Sequence, residues 1–465
     1  MIADATRAER GHRTLEGGMQ DLRWSIRSLR ASAGFTALAV CTLTLGIGAT
    51  TVAFTVLDTV LLRPLPYANA GQLVLIRERT DKQALLPPSY PNFASWRDGA
   101  RSFDGVASAT YPSSRTVLPT NTAADPLRVQ AMGVSRRFFA ILGVAPAVGR
   151  EFTDDENRLG GSPAVMVSYE LWQSQLGGRL PLGSITWSDS PTPVVGVLPP
   201  GFTFVSPADV YFPHERAPGT VRSAHSYLVV ARLRHGVSLA TARADMSALS
   251  RSLLGQFGMQ TQAADADIIP LRDYLVSDYR TLLAIVFGAA ALVLLIACTN
   301  LMSAQLARGR AREREVVIRA ALGASRARLI RQLLFESGAV VALGTSFATL
   351  LALGATKAIK TAGKSLLPRL NELALDVRVL AFVAAVATLT VLLVGVYPAV
   401  RLANRDAGLA LRAGRDTSMS VRASVWRLLV GFEIALAVVL VVGSSLLIKT
   451  LHNILTANTG FDAHG

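Results

Sequence analysis

The chain has 465 residues, 51% of them apolar, a mean hydropathy of +0.37, and 47 Lys plus Arg against 32 Asp plus Glu for a formal net charge of +15. That much apolar side chain excludes an ordinary soluble enzyme as the default and points to a membrane protein. The positive charge raises nucleic-acid binding as an alternative, with basic residues lining a groove among aromatic platforms; here the basic residues flank long uncharged stretches, so no nucleic-acid partner is expected.

The first uncharged stretch, Ala31 to Leu57, contains no Asp, Glu, Lys or Arg. It is long enough to cross a hydrocarbon core of roughly 30 Å, which takes about 20 helical residues. It is also much longer than the apolar region of a cleaved signal peptide, and no small-residue cleavage site follows it. A helix from Phe35 to Leu62 would reach roughly 42 Å. It must therefore either tilt or stand clear of the bilayer as a stalk, and Asp58 with "RPLP" (Arg63 to Pro66) favours a stalk that stops at proline. "GIGATT" (Gly46 to Thr51) half-matches a dinucleotide fingerprint, but it lacks the third glycine and follows no strand. Close helix packing through small residues is the reading it supports.

Pro64 to Arg280 is different in character: rich in Pro, Gly, Ser and Asp, with short apolar runs and no cysteine, as a folded extramembrane domain would be. "QLVLIRER" (Gln72 to Arg79), "PAVMVS" (Pro163 to Ser168), "TPVVGVLP" (Thr192 to Pro199) and "SYLVVARL" (Ser226 to Leu233) read as strands bounded by turn formers. "SLATARADMSALSRSLLGQF" (Ser238 to Phe257) places Leu239, Ala242, Met246, Leu249, Leu253 and Leu254 at helical spacing behind a Ser cap. The module is expected to be mixed α/β. His214, His225 and His235 show no metal-ligand spacing and no Cys joins them, and no serine sits in a G-x-S-x-G elbow. No metal, cofactor or catalytic set is expected.

Three further uncharged stretches follow, Thr281 to Ala307, Ser337 to Thr356 and Val379 to Val400, and a weaker fifth candidate, Leu428 to Ile448, holds Glu433 near its start. Such a carboxylate has to face a helix partner or the headgroups. Cys41 and Cys298 each fall inside a span, where both thiols are expected to be buried. "AIKTAGKS" (Ala358 to Ser365) ends like a phosphate-binding loop, but Ala358 stands where the leading glycine belongs, so the chain is not expected to hydrolyse ATP by itself.

Charge placement orients the spans. Pro64 to Arg280 holds 20 basic and 18 acidic residues, a net of about +2 out of +15. The excess lies in three places. Arg23, Arg27 and Arg30 precede the first span; Arg308, Arg310, Arg312, Arg314, Arg319, Arg326, Arg328 and Arg331 follow the second; and Arg401, Arg405, Arg412, Arg415, Arg422 and Arg427 follow the fourth. Arginine-rich short loops stay in the cytoplasm, and these three share a side if each stretch crosses once. The loop holding Lys357, Lys360, Lys364, Arg369 and Arg378 is then outside by parity rather than by charge. The expected organisation is a cytoplasmic segment 1–30, span and stalk 31–63, outer domain 64–280, span 281–307, cytoplasmic segment 308–332, span 333–356, outer loop 357–378, span 379–402, cytoplasmic linker 403–427, span 428–448 and outer end 449–465.

The second cytoplasmic segment contains "EREVVIRAALGASRARLIRQLL" (Glu313 to Leu334). Helix is expected to run on to Leu322, stop at Gly323 and restart with Ser325 as cap. Val316, Val317, Ala320, Ala321 and Leu322 form an apolar strip framed by Glu313, Arg314, Glu315 and Arg319. Such a helix suits either a groove on a partner protein or an anionic lipid surface.

The order of segments and several motifs resemble the MacB-like, FtsX-like family of ABC transporter permeases, in particular its branch in which the permease module is duplicated. The motifs are "FTALAVCTLTLGIGATTVAFTVLDTVLLRPLPY" (Phe35 to Tyr67), "SYPNFASWRD" (Ser89 to Asp98), "VSRRFFAILGVAPAVGREFTDDE" (Val134 to Glu156), "VVGVLPPGFTF" (Val194 to Phe204), "VVARLRHGVS" (Val229 to Ser238) and "EREVVIRAALGASRARLIRQLLFES" (Glu313 to Ser337). The resemblance implies a four-helix permease module plus one further span, with a MacB-type periplasmic core domain between spans one and two, in the inner membrane. It implies that Glu315, Val316, Val317, Arg319, Ala320, Ala321, Leu322 and Gly323 form the coupling helix that docks on a separate cytoplasmic ABC ATPase subunit. The implied partners also include a second permease module and a periplasmic adaptor. The implied function is mechanotransmission, the relay of ATP-driven motion to the outer domain for efflux or release of a substrate. "GRLPLGSITWSDSPTPVVGV" departs from the family by compression, and no ATPase domain is in the chain. Arg427 to Gly465 resembles the opening span of a second permease repeat, implying the first part of a duplicated permease, and translation is expected to start at Met1 or Met19. Two other readings stay open: a membrane-anchored sensor or regulator of an envelope hydrolase, and a nonfunctional fragment.

Overall fold

The computed structural model describes residues 27, 29–119, 125–187, 190–215, 220–311, 326–362, 372–396 and 418–456. It divides into two compact units: one of Met1–Thr59, Thr281–Lys364 and Leu373–Gly465, and one of Val60–Arg280 with Ser365–Glu372.

In chain order the described elements begin with helix α1 (Ala33–Leu57), continued by a π-helical turn, Asp58–Leu62, that stops ahead of Pro64 as proline requires. Then come β1 (Leu73–Arg79), β2 (Leu85–Leu86), α2 (Tyr90–Gly99), β3 (Phe103–Thr110), β4 (Ser113–Pro119), β5 (Leu127–Val134), α3 (Phe138–Leu142), β6 (Val148–Gly149), β7 (Val165–Val167) and α4 (Tyr169–Gln175). β8 (Ser184–Trp187), β9 (Ser190–Val197), β10 (Val210–Pro213), β11 (Tyr227–Leu233), α5 (Leu239–Phe257) and β12 (Asp265–Pro270) complete the α/β unit. The four runs expected as strands are β1, β7, β9 and β11.

Half of this unit is an antiparallel sheet ordered β3, β11, β1, β12. Its central strands are apolar on both faces, since successive side chains point to opposite sides. Leu73, Leu75, Leu228 and Val230 face a core with Phe138, Phe139, Met132 and Tyr211, while Val74, Ile76, Val229 and Ala231 face a second core under α2 and α5. Ser238 caps α5 by accepting the Thr241 amide at 3.1 Å, and Ala242, Met246, Ser250 and Leu253 make its buried stripe. Ser89 caps α2, which buries Phe93 and Trp96 against the same face.

In the other half, β10, β7, β9, β8, β4 and β5 pair in sequence, and β10 returns to β5 in parallel, so the ring closes without a free edge between those strands. Val117, Val129, Val165, Val167, Ile185, Val197 and Val210 pack with Trp172 of α4 in this half. Within the compressed stretch β8 and β9 pair antiparallel, with Ser184 opposite Pro193 and Trp187 opposite Ser190.

The helical unit is built from α1, α6 (Leu271–Ala311, whose first turns belong to the α/β unit), α7 (Arg326–Ala362), α8 (Val377–Val391, ending in a π-helical turn Leu392–Val396) and α9 (Ser418–Thr456). Among the described residues five stretches are long and apolar enough to cross a membrane: Ala33–Leu62, Leu271–Arg308, Ile330–Thr361, Val377–Val396 and Val430–Thr450. α1 is the most enclosed of them. Small residues set its close packing. A Cβ on Gly46 would meet Ala297 Cβ at 3.2 Å, one on Gly48 would meet Leu351 Cδ2 at 2.9 Å, and one on Gly344 of α7 would meet Leu43 Cβ at 2.8 Å. The stretch "GIGATT" is therefore a helix-packing face. Thr50 Oγ1 donates across to the Ala290 carbonyl at 3.1 Å and Thr44 Oγ1 to Gly344 at 3.3 Å. Phe54 stacks on Phe382 of α8 with centroids 3.9 Å apart. Cys298 is buried as expected, but Cys41 is exposed on the outer face of α1, so only one of the two thiols is enclosed by the protein. α9 buries nothing along its apolar stretch, where Phe432 and Ile434 are exposed and Glu433 is half-buried.

Candidate functional site

The residues expected to dock a partner, Glu315, Val316, Val317, Arg319, Ala320, Ala321, Leu322 and Gly323, lie outside the described residues, as do the helix stop at Gly323 and the Ser325 cap. What is described is the pair of helices that carry them. α6 runs unbroken for 41 residues to Ala311, and α7 resumes at Arg326. At their facing ends Arg308 Nη1 of α6 lies 3.8 Å from Glu336 Oε1 of α7, with side chains 20% and 3% exposed. The Arg308 guanidinium also stacks over the Phe35 ring at 4.0 Å and hydrogen-bonds Ser32 Oγ at the start of α1. At the other end of α1, buried Asp58 pairs with Arg378 of α8 at 3.9 Å. Asp376 caps α8, accepting the amides of Arg378 and Val379 at 3.1 Å.

In the α/β unit a second polar cluster is enclosed beneath α2. Glu78 on β1 is fully buried because it shares the face of Val74 and Ile76, two residues apart along the strand. Its Oε1 accepts the Ser89 amide at 2.8 Å, Asn92 Nδ2 at 2.7 Å and Ser89 Oγ at 3.2 Å. His225 Nδ1 lies 2.9 Å from Oε2 and 3.1 Å from the Pro87 carbonyl, and its Nε2 is 3.2 Å from Gln262 Oε1. One ring N–H cannot serve both oxygens fully, and Oε2 has no well-aligned hydrogen bond among the described residues. Burial pushes the Glu78 carboxyl above its ordinary range, against the pull of the Ser89 and Asn92 donors and the His225 charge. Arg222 donates to Asn92 Oδ1 at 2.5 Å and lies 3.7 Å over the Phe257 ring, and Tyr90 hydrogen-bonds Glu215. Arg77 and Arg79, on the opposite face of β1, both hold Asp267 of β12, at 2.6 and 2.5 Å.

The sequence reading did not single out Glu78. The alternation in "QLVLIRER" carries the signal, because it sets Glu78 on the helix-covered face and the two arginines on the other. The three histidines do not converge: His214 Nε2 pairs with Tyr227 Oη at 2.9 Å, His225 with Glu78, and His235 is exposed. Among the described residues no group of three or more His, Cys, Asp or Glu is arranged to hold a metal.

Five membrane-length helices joined to a folded α/β domain define a polytopic membrane protein with a large extramembrane module. Residues 36–249 match the model of the MacB-like periplasmic core domain, and residues 287–407 that of the FtsX-like permease C-terminal domain. The chain belongs to the MacB/FtsX-like ABC transporter permeases. It is 27% identical over 254 residues to the macrolide export ATP-binding/permease protein MacB of Burkholderia thailandensis, a match covering 54% of this chain and 38% of that one. The protein of the same description from Burkholderia lata is 27% identical over 255 residues, covering 54% and 36%. The chain thus spans well under half the length of these curated relatives. The solved periplasmic region of MacB from Actinobacillus actinomycetemcomitans is 14% identical, covers 45% of this chain and 94% of that one, and superposes with a TM-score of 0.34.

Proposed function

We propose that the chain is the membrane subunit of an ABC transporter that relays the motion of a separate cytoplasmic ATPase to its own outer α/β domain, driving efflux or release of a substrate. The protein sits in the inner membrane with its N-terminus inside. The 64–280 module is outside, carried between the first and second of the four permease spans, and Leu428 to Ile448 is a fifth crossing. ATP is hydrolysed by the partner, and a second permease module completes the transporter.

One observation carries this reading. β12 of the α/β unit passes at Pro270 directly into α6, a single helix of 41 residues that ends at the coupling segment. An unbroken helix of that length, roughly 60 Å, transmits displacement along its axis without a joint to absorb it. The threonines in the spans support a relay rather than an open polar path, since Thr51, Thr55, Thr299, Thr356 and Thr390 each turn their hydroxyl back to a carbonyl of their own helix.

The full-length chain is expected to co-purify with an ABC ATPase. Ala321→Glu, which puts a charge on the apolar strip, is expected to lower ATP turnover of the complex about tenfold with expression unchanged, in the range of ordinary inter-site coupling. Unchanged turnover would refute the docking role of the strip. Capture of an envelope hydrolase with unaltered efflux would make the chain a regulator instead.

A further inference from the structure

The two helices that flank residues 312–325 in sequence, α6 and α7, are tied to each other and to α1. Arg308 is near the end of α6 and Glu336 lies within α7, so the 3.8 Å ion pair links the helices on either side of residues 312–325 in sequence. The same guanidinium sits over the Phe35 ring and bonds Ser32 Oγ, which brings the start of α1 into the joint. Glu336 is almost fully enclosed, and a carboxylate so withdrawn from water persists only where a cation answers it. A guanidinium can do so while keeping its contact with the Phe35 ring.

We infer that Arg308 and Glu336 form the joint that converts a push on residues 312–325 into movement of α1, α6 and α7 as one body. They are positioning residues for the relay, and the inference rests on the proposed coupling role of that segment. Without the pair, the segment can still bind its ATPase, but each helix root yields separately and the stroke is dissipated.

The test uses the full-length chain in nanodiscs with its co-purified ATPase. In Glu336→Gln the ATPase is expected to remain bound while its turnover departs about tenfold from that of the unaltered complex, toward the rate of free ATPase. The exchanged pair, Arg308→Glu with Glu336→Arg, restores an ion pair between α6 and α7 but not the contacts of residue 308 with Phe35 and Ser32, and is expected to recover only part of that change. Nitroxide labels at exposed Leu38 of α1 and Leu343 of α7, with both native cysteines replaced by alanine, supply a readout that needs no partner. The inter-label distance distribution is expected to broaden in Glu336→Gln. Normal turnover with bound ATPase, or an unchanged distance distribution in Glu336→Gln, overturns the joint. If the unaltered chain binds no ATPase, the proposed function fails, and the label distances still decide whether the three helix roots are locked.

Discussion

Replacing Glu78 separates the cost of losing an acceptor from the cost of losing a charge. In Glu78→Ala the Ser89 amide loses its Glu78 acceptor, whereas Asn92 Nδ2 still reaches Thr261 Oγ1 at 3.0 Å and the Ser89 hydroxyl can turn away. One orphaned buried amide and the cavity of a deleted side chain amount to about 3 kcal/mol. Glu78→Gln keeps an acceptor for that amide and removes a charge whose burial is unfavourable, so its net effect is within about 1 kcal/mol. Hydrogen exchange of residues 89–99 in the full-length chain reads the difference locally: protection falls on the order of 100-fold in Glu78→Ala and by less than about fivefold in Glu78→Gln. The pH dependence has a definite sign. Because burial raises the folded-state pKa above 4.5, the wild-type carboxyl contributes stability that is full below that value and is lost as pH rises through the raised pKa. The alanine variant has no such contribution, so its deficit widens toward acid, after correction for intrinsic exchange. Equal protection in the two variants, or a deficit that shrinks toward acid, would refute the reasoning.

Helix packing gives a paired test: Gly344→Ala forces a Cβ to within 2.8 Å of Leu43 Cβ and is expected to cost about 1 to 3 kcal/mol, while Gly354→Ala, with open space around it, is neutral or slightly stabilising. Thermal unfolding in detergent compares the two, and equal shifts would contradict the close α1–α7 approach. Asp267→Asn is expected to weaken the β1–β12 pairing at neutral pH. Burial raises the Asp267 pKa, but hydrogen bonds from Arg77 and Arg79 outweigh it and hold the carboxyl below its ordinary range, so the stability it adds is present above pH 3.8 and disappears as acid protonates it. Urea unfolding across pH should show the variant's deficit narrowing below that value. For orientation, a cysteine at exposed Leu118 should react with an impermeant maleimide on intact cells and one at Gly323 should not; the reverse pattern would invert the membrane topology.

The linear pattern alone was enough for the membrane-length helices, because a span is specified by some twenty consecutive residues without charge and needs no distant contact to be recognised. It was also enough for β1, β7, β9, β11 and α5, whose apolar periods and caps are local. Other elements depended on distant partners. β4, β5, β8 and β10 are short or polar on one side, and their strand state follows from closing a ring across more than sixty residues, which no local period reports. Glu78 reads as a surface charge until α2 and His225 are folded over it, and Glu336 reads as an edge residue until Arg308 of another helix is brought to it. A side chain's burial is set by what lies across from it, and that is decided by tertiary contacts rather than by its neighbours in the chain.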